Sequence, residues 1–184
     1  MAIEIETWQP GNEAHRKAFA DINSEWLNEF FRIEETDAAM FADPQGYIID
    51  KGGIILFARD GDALLGTVCL FPIGDGVFEL GKMGVRGNTR GKGIGRILAA
   101  EAISWARRKG IPKLYIASNR KLEQAIALYK SLGFVELPGN NDPRYARANI
   151  TLELDLLPKE IGGRKGLDPV RYGDWESAGK CVDF

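Results

Sequence analysis

The sequence predicts a mixed α/β domain whose single sheet is largely antiparallel. Three observations predict it. Apolar runs at 54–59, 63–71 and 77–85 are joined by the turn signals Asp60-Gly61-Asp62 and Asp75-Gly76, which is the pattern of a strand meander. Two long amphipathic stretches, 12–30 and 94–109, carry apolar residues at helical spacing. After the second of these, strand and helix patterns alternate down to a strand-like run at 150–156.

In order, Ile3, Ile5 and Thr7 alternate with Glu4 and Glu6, the period of a half-exposed strand. Beyond Pro10-Gly11-Asn12 the period becomes helical. Phe19, Ile22, Trp26 and Phe30 form one stripe, Asn12 is placed to cap, and His15 falls on the polar side, where it is expected to be solvated. A histidine-based triad is therefore not expected, since His15 is the single histidine and falls on that polar side. The acidic stretch Arg32 to Asp37 opens a second short helix that stops before Asp43-Pro44. Gly52-Gly53 leads into the three meandering strands. Ile94, Leu98, Ala102 and Trp105 mark the buried stripe of the next helix, whose last turn carries Arg107, Arg108 and Lys109 and which Gly110 ends. Lys113 to Ala117 reads as a strand, Leu122 to Leu132 as a helix closed by Gly133, and Phe134 to Leu137 as a strand. A loop rich in Pro, Gly and Asn follows from Pro138 to Tyr145. Ile150, Leu152, Leu154 and Leu156 then alternate with polar residues as a last antiparallel strand.

The chain of 184 residues, 45% hydrophobic, is enough for one core. Two units are expected: a folded domain at 1–157 and an extended tail at 158–184, which holds too few aliphatic residues to fold alone. A net charge of −2 with interspersed signs gives no basic face for nucleic acid or for a membrane surface. No run of about 18 apolar residues exists, and the first twenty residues carry three glutamates where a secretory leader is basic and then apolar. The two cysteines, Cys69 and Cys181, do not form a disulfide framework, so a cytoplasmic location is the expectation.

The chemistry concentrates between the third meander strand and the helix after it. Glycines at 91, 93 and 95 let consecutive backbone N–H groups converge, the helix starting near Gly93 aims its positive end at the same point, and Arg90, Lys92 and Arg96 add charge suited to phosphate. The plain alternative is a glycine-rich turn with surface cations. A dinucleotide fingerprint is excluded because Arg96 stands where its last glycine belongs, and a Walker loop because no Lys-Ser/Thr follows.

The hexapeptide Arg90-Gly91-Lys92-Gly93-Ile94-Gly95 resembles the Arg/Gln-x-x-Gly-x-Gly/Ala signature of the GNAT superfamily of N-acetyltransferases. Glu79 to Val85 resembles that superfamily's central strand, and Ala125 to Phe134 its second coenzyme-binding helix. The resemblance implies a mostly antiparallel sheet with splayed strands and helices on both faces. It also implies acetyl-CoA as co-substrate and direct transfer to an amine, small molecule or protein lysine, without metal. Gly91 to Arg96 would hold the pyrophosphate, and Met83 and Val85 would pair with the pantetheine arm, with glycines at 81 and 84 marking a bulge that opens the slot. The Val85 N–H would be the oxyanion donor. Tyr129 takes the position of the general acid, and Asn119 is a further candidate for the pantetheine arm; Leu122 stands where family members often carry Asn. Glu79 is the candidate base, on the ground that it shares strand parity with Met83 and Val85 unless a bulge intervenes. Trp26, Phe30 and Tyr145 come from elements that wall the acceptor side.

The tail carries Gly162-Gly163, Pro169-Val170-Arg171-Tyr172-Gly173-Asp174-Trp175-Glu176 and Asp183-Phe184. This resembles the C-terminal signature of the succinate dehydrogenase assembly factors, which implies the flavoprotein subunit of that enzyme as partner. The alternative is a strap packing Tyr172 and Trp175 on its own domain or on a second copy in a homodimer.

Overall fold

The computed structural model describes residues 2–139 and 142–157, and the backbone of 176–177 and 180–181. The first alternating run forms β1 (Glu4–Thr7), and the meander forms β2 (Ile54–Asp60), β3 (Ala63–Gly74) and β4 (Val77–Val85). The later strands are β5 (Lys113–Ser118), β6 (Val135–Glu136) and β7 (Ile150–Asp155). They make one sheet in the order β1-β2-β3-β4-β5-β7-β6. Every neighbouring pair is antiparallel except β4–β5. That parallel pair is short: it holds only at Val77–Lys113, Phe78–Leu114 and Glu79–Tyr115. Beyond Glu79 the two strands diverge while β4 runs on to Val85 and β5 to Ser118, so a slot opens in the middle of the sheet.

The helices are α1 (Glu13–Phe30), α2 (Glu35–Ala42), α3 (Ile94–Arg108) and α4 (Glu123–Ser131). The Asn12 side chain accepts the N–H groups of Ala14 and His15 and caps α1. A π-helical turn at Gln45–Ile49, which the sequence pattern does not announce, buries Ile48 after α2. Both faces of the sheet are covered. Leu56, Val68, Leu70 and Leu80 pack with Leu98 and Ala102 of α3, whereas Ile55, Phe57, Cys69 and Phe71 pack with Phe19, Ile22 and Leu27 of α1. Burial on both faces explains why β2 and β3 read as continuous apolar runs. Separately, Glu176–Ser177 and Lys180–Cys181 pair as a short antiparallel ladder, β8 with β9. The remaining tail residues quoted above lie outside the described residues.

Two expectations are corrected. His15 is 3% exposed rather than solvated: Nε2 lies 3.1 Å from Glu6 Oε1, Nδ1 accepts the Gln9 N–H, and the ring packs 4.8 Å from that of Phe57. The chain from Trp8 to Asn12 folds back over the first turn of α1 and covers a position that helical periodicity alone assigns to solvent. Phe30, the end of the predicted α1 stripe, is 39% exposed, and Leu27 takes the buried place.

Candidate active site

β4 carries a bulge. Thr67 pairs with Gly84 and Cys69 with Gly81, so Val68 alone opposes Lys82 and Met83, and Lys82 takes φ +47. The expected bulge is there, but the residue with positive φ is a lysine, not a glycine. The extra residue switches faces. Leu80 packs in the core under α3, and Met83 and Val85 pack against that core. Gly81 looks toward Phe71, and Gly84 toward Ile22 and Trp26 of α1, where a Cβ would stand 2.8 Å from the indole. Glu79 therefore faces the α1 and α2 side, opposite Met83 and Val85. The shared parity expected from sequence is undone by the bulge.

The slot opens into a cavity of about 820 Å³ that reaches from the glycine loop to Glu79. Arg90, Gly91, Gly93, Ile94, Gly95 and Arg96 line one end, and Lys92 is outside the lining. Gly91 and Gly93 sit at φ +78 and +79, where only glycine is unstrained, and a Cβ on either would meet nothing within 4 Å. Gly93 occupies the N-cap of α3 without a side-chain cap, so the first-turn N–H groups are left for a ligand. Arg90 Nη2 lies 2.7 Å from Glu29 Oε2, and Arg96 donates to Ser131 Oγ at 2.8 Å. In mid-cavity, Arg86 N–H donates to Leu65 O on β3. Strand alternation then turns the Val85 N–H the other way, toward the slot.

Tyr129 lines the same cavity at 7% exposure, its ring edge-on to Phe134 at 6.0 Å. Burial alone pushes its phenol above the ordinary value, with no charged neighbour contributing. Asn119 also lines the cavity, but its amide is engaged, accepting the Lys121 N–H and donating to Arg147 O.

Glu79 is the last β4 residue paired with β5, so it stands at the apex of the slot. Burial raises its carboxyl, and Arg144 and Lys82 partly offset this. Arg144 Nη1 is 2.7 Å from Oε2, yet no N–H is aligned with that oxygen, which is left without a hydrogen-bond partner. The short separation is a charge contact, and the missing hydrogen bond follows from angle. Arg144 is gripped in turn by both oxygens of Asp142. Trp26, Phe30 and Tyr145 line the cavity, together with Phe31.

Sequence reasoning missed one cluster. Asp37, with its side chain fully buried, receives Lys82 Nζ at 2.7 Å and Arg147 through two bonds of 2.7 and 2.9 Å. Its partners lie 45 and 110 residues away in sequence, and no local pattern marks them.

The acetyltransferase (GNAT) family model matches residues 20–134, and a family described as protein of unknown function (DUF1674) matches 140–184. An uncharacterized N-acetyltransferase of Schizosaccharomyces pombe is 33% identical over 122 residues, 63% of this chain and 74% of that protein. N-acetyltransferase 8 of Rattus norvegicus is 27% identical over 59% of this chain and 50% of its own length. A UPF0369 protein of Rickettsia prowazekii is 52% identical over 44 residues, 23% of this chain and 56% of its own. The chain thus spans about half the length of the last two. A GNAT acetyltransferase structure from Staphylococcus aureus superposes with TM-score 0.75 at 20% identity, covering 85% of this chain and all of that one. The PaiA N-acetyltransferase of Thermoplasma acidophilum in complex with coenzyme A superposes with TM-score 0.64 at 18% identity, over 84% and 99%. With the splayed β4–β5 pair, the glycine loop and the family match over more than half its length, this chain belongs to the GNAT acetyltransferase family.

Proposed function

We propose that the protein transfers an acetyl group from acetyl-CoA to a primary amine, directly and in a ternary complex. The observation that carries this is the cavity that joins the α3 N-terminus, the backbone of Met83 and Val85 on β4, a buried phenol and a buried carboxylate. The first-turn N–H groups after Gly93 bind the pyrophosphate, and the backbone of Met83 and Val85 pairs with the pantetheine arm. Glu79 takes the proton of the acceptor ammonium, at the slot apex and from the opposite face of β4; the burial that raises its carboxyl suits it to that task. The amine nitrogen attacks the thioester carbonyl carbon, and the Val85 N–H steadies the oxygen as it gains charge. The C–S bond then breaks, and Tyr129 supplies a proton to the departing thiolate. Bound coenzyme A in the Thermoplasma structure of similar fold supports the reading.

Calorimetry with acetyl-CoA tests the cradle. Gly93→Val is expected to weaken binding about tenfold or more, because a side chain would stand where phosphate approaches and β-branching at positive φ distorts the loop. Gly110→Val is the control: φ there is +69, a Cβ also meets nothing within 4 Å, and the residue is remote from the cavity. Equal affinities in the two variants would remove the cradle.

The tail's resemblance to the succinate dehydrogenase assembly factors supports a second role beside the first, over residues that a family described as of unknown function also matches. Residues 158–184 act as an interaction segment for the flavoprotein subunit of succinate dehydrogenase, ordering on that partner. The intact protein is expected to retain that subunit in a pull-down and a chain ending at Leu157 to lose it. Equal retention would assign the tail to packing on this domain or on a second copy.

A further inference from the structure

Glu79 is held from behind by a guanidinium that does not close on it. Arg144 donates from its backbone N–H and from Nε to Asp142 Oδ1, both at 2.9 Å, and from Nη2 to Asp142 Oδ2, so the fork of its side chain is taken up by Asp142. The nitrogen left over, Nη1, lies 2.7 Å from Glu79 Oε2 as a charge contact, and among the described residues no N–H is aligned with that oxygen. Both carboxylate side chains are 3% exposed. The guanidinium carbon stands 5.6 Å from the ring centre of Tyr115 and 5.5 Å from that of Tyr145, and the Tyr115 hydroxyl also donates to Asp142. Glu79 and Tyr145 line the cavity, whereas Arg144 and Asp142 lie behind them, outside the lining, so their influence on a bound molecule passes through Glu79. Both also lie beyond the stretch that the acetyltransferase model matches, within 140–184.

Resting on the acetyl-transfer reading above, we propose that Arg144 and Asp142 are positioning residues for Glu79: Arg144 keeps the buried carboxylate charged, and Asp142 holds the guanidinium back from the two-pronged hydrogen bond that would quench it as a base. Each member of the pair prevents one failure. Burial alone favours the protonated carboxyl, which has no place for a second proton. A full fork-to-carboxylate pair favours the charged form so strongly that the group becomes a poor proton acceptor. The other groups around Glu79 act on the same balance. Burial raises its carboxyl, Arg144, Lys82 on β4 and Tyr145 lower it, and Asp142 raises it. Lys82 is tied in turn to Asp37 of α2, and Cys69 on β3 faces Glu79 as a thiol that burial keeps protonated. In the transfer, one N–H bond of the acceptor ammonium breaks as an O–H bond forms on the Glu79 carboxylate. The electron pair stays on nitrogen, and the proton passes to water once the product has left.

The test follows the Glu79 carboxyl directly in the full chain, by NMR of protein isotopically labelled at the glutamate carboxyl carbons, with the Glu79 signal assigned by its loss in Glu79→Gln. Arg144→Gln is expected to move its titration up by about one pH unit or more, the effect of removing an opposite charge at this range, and Arg144→Lys, which restores the charge, to bring it most of the way back. Asp142→Asn is expected to move it down, because a like charge is gone and the freed fork closes on Glu79. Loss of packing alone does not give opposite shifts from the two members of one ion pair. An unmoved titration in Arg144→Gln overturns the proposal. So does an upward shift in Asp142→Asn, which would make Asp142 an anchor for Arg144 and nothing more. Thiol release from acetyl-CoA, with phenethylamine and Nα-acetyl-lysine as amines, separates this inference from the acetyl-transfer reading. A kcat/KM profile against pH that follows the shifted carboxyl supports both. Rates that ignore it, or no release from either amine, count against that reading, and the carboxyl shifts still decide the pair on their own.

Discussion

Tyr129→Phe is expected to lower turnover about 10- to 1000-fold while leaving acetyl-CoA affinity nearly unchanged. The substitution removes one oxygen and keeps the ring that packs edge-on to Phe134, so the core under α4 is preserved. The buried phenol stays protonated at neutral pH because burial opposes its ionisation. A raised pKa also makes it a weaker acid. The thiolate it serves has an ordinary pKa of about 8.5, below that of a phenol, so for the isolated pair the transfer runs uphill and needs local help as charge builds on sulfur. Steady-state rates with the best acceptor, together with a calorimetric Kd, check this. Unchanged turnover would make Tyr129 a packing residue.

Asp37→Ala is expected to destabilise the fold by about 3–5 kcal/mol, the range for breaking a buried ion cluster from one side. Lys82 is 7% exposed and sits in the strained bulge, so without Asp37 its ammonium is left buried beside the Tyr145 ring, 4.9 Å from the centroid. Arg147 loses its bidentate partner and keeps only Glu34. Burial raises the Asp37 carboxyl, but the hydrogen bonds from Arg147 and Lys82 outweigh it and hold the group below its usual range. A folded-state pKa below the unfolded one means that this stabilisation is present above the ordinary aspartate value and is lost as pH falls through the lowered one. Urea unfolding at pH 7 measures the loss. A change under about 1 kcal/mol would show that the cluster does not hold α2 to the sheet.

Local signals carried most of the architecture. Val77–Val85 needed only a turn pair and an apolar run, and α1 only a cap and a stripe. The glycine loop was visible because phosphate chemistry uses consecutive residues. What stayed hidden is non-local. The burial of His15 depends on a folded-back segment, and the face of Glu79 on one inserted residue at Lys82–Met83, which period-two counting cannot see. The Asp37 cluster joins α2, β4 and the loop before β7, elements that meet only once the sheet has formed.

β7 is the last strand of the sheet in the chain, yet it lies between β5 and β6. In the order of synthesis this leaves a gap between β5 and β6. At roughly 5–20 residues per second, a ribosome needs a few seconds to pass from Ser118 to Ile150. Meanwhile β5 offers an open edge, and Leu114 and Ile116 lack the cover that Leu152 and Leu154 later give. Such an edge is a template for pairing with another nascent chain. The similarity that begins at residue 140 runs through β7 itself, so the tail-like and enzyme-like parts of this chain share a strand. A cut at 140 would leave the edge permanently open, whereas a cut after Leu157 closes the sheet first.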